Sequence, residues 1–183
     1  DAGSSSSARK LGAILSWLKT NTSKGTSGTD PTTIGVSTRS DGATRTFTEQ
    51  LLKDEIAAVF DSGGNPSMLV VGSGLKQKVS SFAGIAAQRY MAPGDQPTTI
   101  IGAADVYMSD FGTLSVVPNR FMRTRDALLL DPEYAALSYL RPFQTNDLAK
   151  TGDSEKTQLL AEFTLEMRNE AASAIVADLN PAL

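Results

Sequence analysis

The sequence predicts a mixed α/β (α+β) protein, on three observations. Residues 48–90 read as helix, short apolar strand, glycine loop and helix, which is a compact α/β unit. Val106–Met108 and Leu114–Val117 flank Ser109-Asp110-Phe111-Gly112-Thr113, a turn with glycine where a tight connection needs it, and so predict a β-hairpin. Ala161, Phe163, Leu165 and Met167 alternate with Glu162, Thr164, Glu166 and Arg168, the period-two pattern of a half-buried strand.

Composition narrows the function before any motif is considered. The chain has 183 residues, 40% hydrophobic and 20% charged, as in ordinary soluble globular proteins, and is long enough for one good core or two small ones. It has no cysteine and no histidine. Disulfides, thiolate nucleophiles, cysteine-ligated metals and the commonest general base near neutrality are therefore absent, and the expectation is a non-enzyme with no catalytic residues, cofactor or metal. No apolar run approaches the ~18 residues of a membrane span, and no signal peptide opens the chain. The start at Asp1, without methionine, is expected to reflect an upstream segment removed or left out. Net charge is −3. Residues 1–48 lean basic (Arg9, Lys10, Lys19, Lys24, Arg39 and Arg45 against Asp1, Asp30 and Asp41), too sparse a set to argue phosphate binding.

Along the chain, residues 1–8 are small and polar and read as a tether. Leu11, Ile14, Leu15 and Leu18 share one face of an amphipathic helix expected over Ser7–Thr20, with Trp17 beside that face. Residues 21–46 lack a sustained period and predict a long loop, with one short strand near Ile34–Val36. A loop of that length points to an external contact. A helix then runs over Leu52, Ile56, Val59 and Phe60, capped by Thr48 or Thr46 and stopped by Gly63-Gly64. Asn65-Pro66 turns the chain into the buried strand Met68–Val71, and Gly72-Ser73-Gly74 leads to a third helix from Leu75 to about Tyr90. The two glycines lack both the Walker pattern and the third glycine of the dinucleotide fingerprint, so the loop reads as a tight connection. Met91–Gln96 reads as a turn and Pro97–Ile101 as an edge strand. After the hairpin, Pro118 ends its strand because it has no amide proton to donate.

Arg120, Arg123 and Arg125 cluster within six residues and fit ion pairing between subunits, or solvation, better than base recognition, because no aromatic residue alternates with them in a stacking pattern. Leu128–Leu130 is a short apolar strand stopped by Asp131-Pro132. Ala135–Phe143 is a further sheet element, and Leu148–Asp153 is a loop reversed at Gly152. Glu162 and Glu166 share a strand face, which accounts for them without a glycosidase pair. A last strand is expected from about Ser173, after a turn at Glu170–Ala172. The divisions expected are 1–46 (linker, short helix and long loop), 47–150 (α/β domain) and 151–183 (returning strands).

Several stretches resemble tailed-bacteriophage major capsid proteins. They are ARKLGAILSWLKTN at 8–21, SGGNPSMLVVGSGLKQKVSSF at 62–82, DFGTLSVVPNRFM at 110–122, the long run from Leu128 to Ala172, and IVADL at 175–179, in family order over most of the chain. The resemblance implies the Hong Kong 97-type capsid fold. The chain would supply mainly the axial domain with part of the peripheral-domain sheet, and would resemble the later half of such a protein. It offers no candidate before Ala8 for that fold's spine helix or extended loop, so this stretch alone is not expected to close a shell. The implied function is a structural shell subunit assembled in the bacterial host cytoplasm into the icosahedral virion head. Implied partners are copies of itself in pentamers and hexamers, portal, scaffold or decoration proteins, and packaged double-stranded DNA touched non-specifically, with no membrane. The alternative is a nucleic-acid-binding or head-accessory module. Carried onto this sequence, Trp17, Arg120, Arg123, Arg125 and Arg141 become candidate packing or capsomer-contact residues. Phe111, Gly112 and Pro118 would determine the hairpin, and Gly152 and Asp153 would shape the loop.

Overall fold

The computed structural model describes residues 3–7, 10–82, 106–150 and 152–181. Its centre is a six-stranded sheet of β1 (Thr22–Ser23), β2 (Met68–Val71), β3 (Val106–Ser109), β4 (Gly112–Pro118), β5 (Ala127–Leu130) and β8 (Ala174–Val176), in the order β1-β8-β5-β2-β4-β3. β2 runs parallel to β4, and β1 parallel to β8. The β2–β5, β5–β8 and β3–β4 pairs are antiparallel. A second sheet consists of two long strands, β6 (Ala135–Asp147) and β7 (Thr157–Met167).

Alternation along the strands separates two apolar layers. Leu69 and Val71, Leu114 and Val116, Ala127 and Leu129, and Ala174 and Val176 join one core with Leu52, Ile56 and Val59 of α1 (Glu49–Asp61) and Leu75 and Val79 of α2 (Ser73–Ser80). The intervening residues Val70, Leu128 and Ile175 face the other way and pack with Leu18, Ile14 and Leu15 from the amino-terminal segment. With both faces covered, the central strands read as continuous apolar runs in the sequence.

The helix at 49–61 forms where its signals place it. Thr48 is the cap, its hydroxyl accepting from Leu51 N, and Thr46 is not. Gly63, at φ 81°, adopts the left-handed conformation that lets Gly64 N return to Val59 O. Phe60 departs from expectation. It is exposed, and its ring lies 4.9 Å from that of Phe111 at the β3–β4 turn.

The expected helix over Ser7–Thr20 is absent among the described residues, which hold one 3-10 turn at Ile14–Ser16. Tertiary partners take the backbone groups a helix would use. Gly35 N donates to Ser16 O, while Lys19 N and Thr20 N donate to the Glu170 carboxylate. Ile34–Val36 is likewise a turn, with Gly35 at φ 76° and Val36 N and Ser37 N both donating to Thr33 O. The short strand of this region is β1. α2 begins at Ser73 and stops at Ser80, where the Ser80 and Ser81 hydroxyls donate to the Lys76 and Lys78 carbonyls. The rest of the third helix, the turn at 91–96 and the edge strand at 97–101 fall, from residue 83 on, outside the described residues.

Candidate functional site

The sequence candidates fall in three places. At one end of the central sheet, Phe111 and Gly112 make the β3–β4 turn and Pro118 closes β4. Ser109 stabilises that turn by donating to Gly112 O and accepting from Phe111 N. Phe111 and Phe60 remain exposed as a pair.

The second place is the seam between the amino-terminal segment and the sheet. Trp17 lies against Gly35, so closely that a Cβ there would come within 2.9 Å of the indole. Arg123 and Arg125 converge on the same seam. The Arg123 guanidinium donates to both Asp41 oxygens at 2.6 and 2.7 Å, and its other nitrogen lies 3.1 Å from Asp126 Oδ2. Arg125 donates to Gly42 O at 2.7 Å and to Asp178 Oδ1 at 3.0 Å. These two arginines are thus engaged within the chain, and the cluster presents no free cationic stripe for a nucleic-acid backbone. Arg120 points into solvent and forms no ion pair among the described residues. The bond from Arg123 holds the Asp41 carboxyl below the usual carboxylate range, while burial pushes Asp126 above it. An open groove of about 870 Å³ runs beside the seam, between Leu11–Ser16 and Gly35–Asp41.

The third place is the β6–β7 ribbon, which carries Arg141 and leads to Gly152 and Asp153 at its tip. Gly152 takes φ 75°, the reversal expected of it. Directly opposed residues share a face. The pairs Ala135/Met167, Leu137/Leu165 and Tyr139/Phe163 therefore line one side. A register irregularity after Tyr139 admits Leu140, and a second between Arg141 and Gln144 admits Pro142, a residue that a regular ladder would exclude. Phe143 then returns to the apolar side, with its ring 6.4 Å from Tyr139 and 6.5 Å from Phe163. The opposite side is polar and pairs with itself. Ser138 donates to Glu166 at 2.6 Å, Arg168 pairs with Glu166 at 3.0 Å, and Arg141 with Glu162 at 3.3 Å. Glu162 and Glu166 of β7 thus each pair across to β6, with Arg141 and Ser138, and do not face one another across a cleft.

The apolar side stands open. Leu137, Tyr139, Phe143, Leu159 and Phe163 are 45–65% exposed. The alternation visible in the sequence marked this face, yet half-burial was the expectation, and five large side chains left exposed among the described residues are the finding. Together with the ring contacts among Tyr139, Phe143 and Phe163 they form a continuous apolar face, unlike scattered surface leucines.

The described residues hold no cluster of three or more histidine, cysteine, aspartate or glutamate placed for a metal ion, and no helix among them is long and apolar enough to cross a membrane. Glu55 on α1 has a carboxyl raised to about 7 by burial, against the pull of Arg45, but it lines neither the groove nor the ribbon. Its displacement belongs to packing.

A family model described as SU10 major capsid protein matches residues 1–180. Comparison with curated proteins returns no match. Among solved structures, the chain is similar to one chain of the holo-SrpI encapsulin complex from Synechococcus elongatus PCC 7942, at 9% identity and a TM-score of 0.46. The similarity covers 75% of this chain and 51% of the encapsulin chain, so this chain spans about half the length of that relative.

Proposed function

The chain belongs to the SU10 major capsid protein family, and from that premise we propose that it forms the later part of a phage head subunit that builds a closed shell from copies of itself. Family membership and the order of the elements support the Hong Kong 97-type fold, with the six-stranded sheet and its helices as the axial domain and the β6–β7 ribbon as part of the peripheral sheet. The ribbon's open apolar face carries the reading. A two-stranded ribbon with one face in water is marginal by itself, and this one closes its polar side with its own ion pairs while leaving its aromatic side for another surface. Burying one half-exposed aromatic contributes about 1–2 kcal/mol. Contacts of that size repeated around five- and six-fold axes close a shell although each is weak.

The shell encloses double-stranded DNA without reading it. The chain is net acidic, and Arg123 and Arg125 are engaged internally. Arg120, Arg141, Gly152, Asp153, Phe111 and Trp17 are assigned to packing and to contacts between copies. Portal, scaffold or decoration proteins complete the head, which forms in the bacterial cytoplasm, and the protein performs no catalysis. The test is negative-stain electron microscopy of the full-length gene product beside its Y139S/F163S variant. Closed shells from the parent, and soluble capsomers or monomers with unchanged thermal unfolding from the variant, are expected. A parent that yields no shells, tubes or capsomers across a range of salt, even with its phage partners supplied, refutes the shell reading. A variant that assembles normally refutes the role of the ribbon.

A further inference from the structure

Residues 24–46 are attached to the protein in an unusual way. The segment is anchored at its ends by Leu18 and Phe47, both fully buried. Between them only Pro31 buries an apolar side chain, while Ile34 and Val36 are exposed. Apart from the Trp17 ring packed on Gly35, the contacts that hold the segment are polar. Asp178 accepts from Gly25 N and Gly42 N, its backbone oxygen accepts from Arg45 N, and Arg125 and Arg123 reach Gly42 O and Asp41. Asp178 does this from φ 59°, a left-handed conformation that costs a non-glycine residue energy.

This polar seam is only partly satisfied. Six buried side-chain atoms make no hydrogen bond among the described residues: Trp17 Nε1, Arg39 Nη1, Arg45 Nε, Glu55 Oε2, Arg125 Nε and Asp126 Oδ2, the last of which has only its ion pair with Arg123 at 3.1 Å. Each belongs to the segment or to a group that touches or electrostatically faces it. Trp17 lies on Gly35, Arg125 bonds Gly42, Glu55 feels Arg45, and Asp126 feels Arg39 and Asp41. A half-satisfied buried network is weaker than an apolar contact of the same area. Internally the segment is well braced. Thr29 and Ser40 exchange backbone bonds, Ala43 N donates to Thr26 O, Arg39 holds Asp30 at 2.7 Å, and Gly28 and Gly42 approach so closely that a Cβ on Gly42 would come within 2.6 Å of Gly28 N. Strong bonds within and a strained polar seam beneath describe a body that separates whole.

We propose that residues 24–46 form a strap that opens as a unit from the intact sheet, and that opening frees the donors of Arg123 and Arg125 that the closed strap occupies with Asp41 and Gly42, while Arg123 keeps Asp126 and Arg125 keeps Asp178. Resting on the shell reading above, the open strap offers those freed donors to carboxylates of a neighbouring copy. Opening requires no unfolding of β2, β5 or β8, whose side chains stay in the core formed with α1 and α2.

Hydrogen exchange read by mass spectrometry tests this on the unassembled full-length protein, together with phenylglyoxal labelling of arginine. The strap amides that bond across the seam, those of Gly25, Gly35, Gly42 and Arg45, are expected to exchange together, at least tenfold faster than those of β5 and β8 and several-fold faster in 1 M than in 50 mM salt, and faster than Thr29, Ser40 and Ala43, which bond within the strap. Labelling of Arg123 and Arg125 is expected to follow the same salt dependence. D41N is expected to accelerate strap exchange about tenfold and leave the sheet unchanged, and D41E to restore most of the protection. Strap amides that exchange no faster than the sheet, or a rate indifferent to salt and to D41N, overturn the proposal. Because these readouts need no assembly, failure of the strap leaves the shell reading standing, and failure of the shell leaves the strap measurable.

Discussion

Glu55→Gln gives the sharpest test of the charged seam. Glu55 is 9% exposed on α1, and its Oε2 takes no hydrogen bond. Burial raises its carboxyl from 4.5 to about 7, with Arg45 pulling it down and Asp54 pushing it up. A folded-state pKa above the unfolded value means that the folded protein binds the proton more tightly. The stabilisation is complete below about 4.5 and is lost as pH rises through 7. At about 1.4 kcal/mol per unit the full displacement corresponds to about 3 kcal/mol, and partial hydration of the site brings the expected loss to about 1–3 kcal/mol. Glutamine keeps the shape and the neutral form at every pH. At pH 5.5, above the unfolded-state value, part of the stabilisation is already lost, so urea unfolding should give a variant more stable than the parent at both pH 5.5 and 8.5, with an advantage larger by about 1–2 kcal/mol at the higher pH. The difference between the two proteins cancels the titration of Asp41 and Asp126. A variant-minus-parent difference that does not change between pH 5.5 and 8.5 would refute the argument that burial dominates at this site.

Two further outcomes concern packing and backbone. Leu129→Ala empties a fully buried position between the helices and the sheet and should cost about 2–5 kcal/mol in denaturant unfolding. Gly63 sits at φ 81° with open space where a Cβ would go, so Gly63→Ala should cost about 1 kcal/mol from backbone conformation alone and Gly63→Asn less, read as shifts in the thermal midpoint.

Much of the architecture was legible locally. Thr48, the Gly63-Gly64 stop and the apolar spacing of Leu52, Ile56 and Val59 specify α1 without help from distant residues. The β3–β4 hairpin follows from the turn around Gly112, β5 from Leu128–Leu130, and β7 from strict alternation, because each pattern records which face a residue must bury. Where the expectations failed, the backbone's partners lay far away in the chain. Leu11, Ile14, Leu15 and Leu18 have helical spacing, yet Gly35 and Glu170 claim the backbone groups of Ser16, Lys19 and Thr20, and no local rule contains those residues.

The candidate residues divide in the same way. Arg123 and Arg125 are conspicuous in the sequence as a cluster beside Asp126, but only folding brings Asp41 and Asp178 against them. The apolar alternation of β7 was plain. That its aromatic face stays open goes with β6 being its one hydrogen-bonded partner among the described residues, and pairing is a property of the tertiary structure. By itself the sequence determined β2 to β5, β7, the cap and stop of α1, the absence of histidine and cysteine side chains and the likeness to capsid proteins, since these reside in residue type and short-range period. The tertiary structure alone decided which charges meet, which face is left uncovered and how the amino-terminal segment is fastened, because those depend on contacts between residues distant in the sequence, 82 positions for Arg123–Asp41 and 150 for Thr20–Glu170.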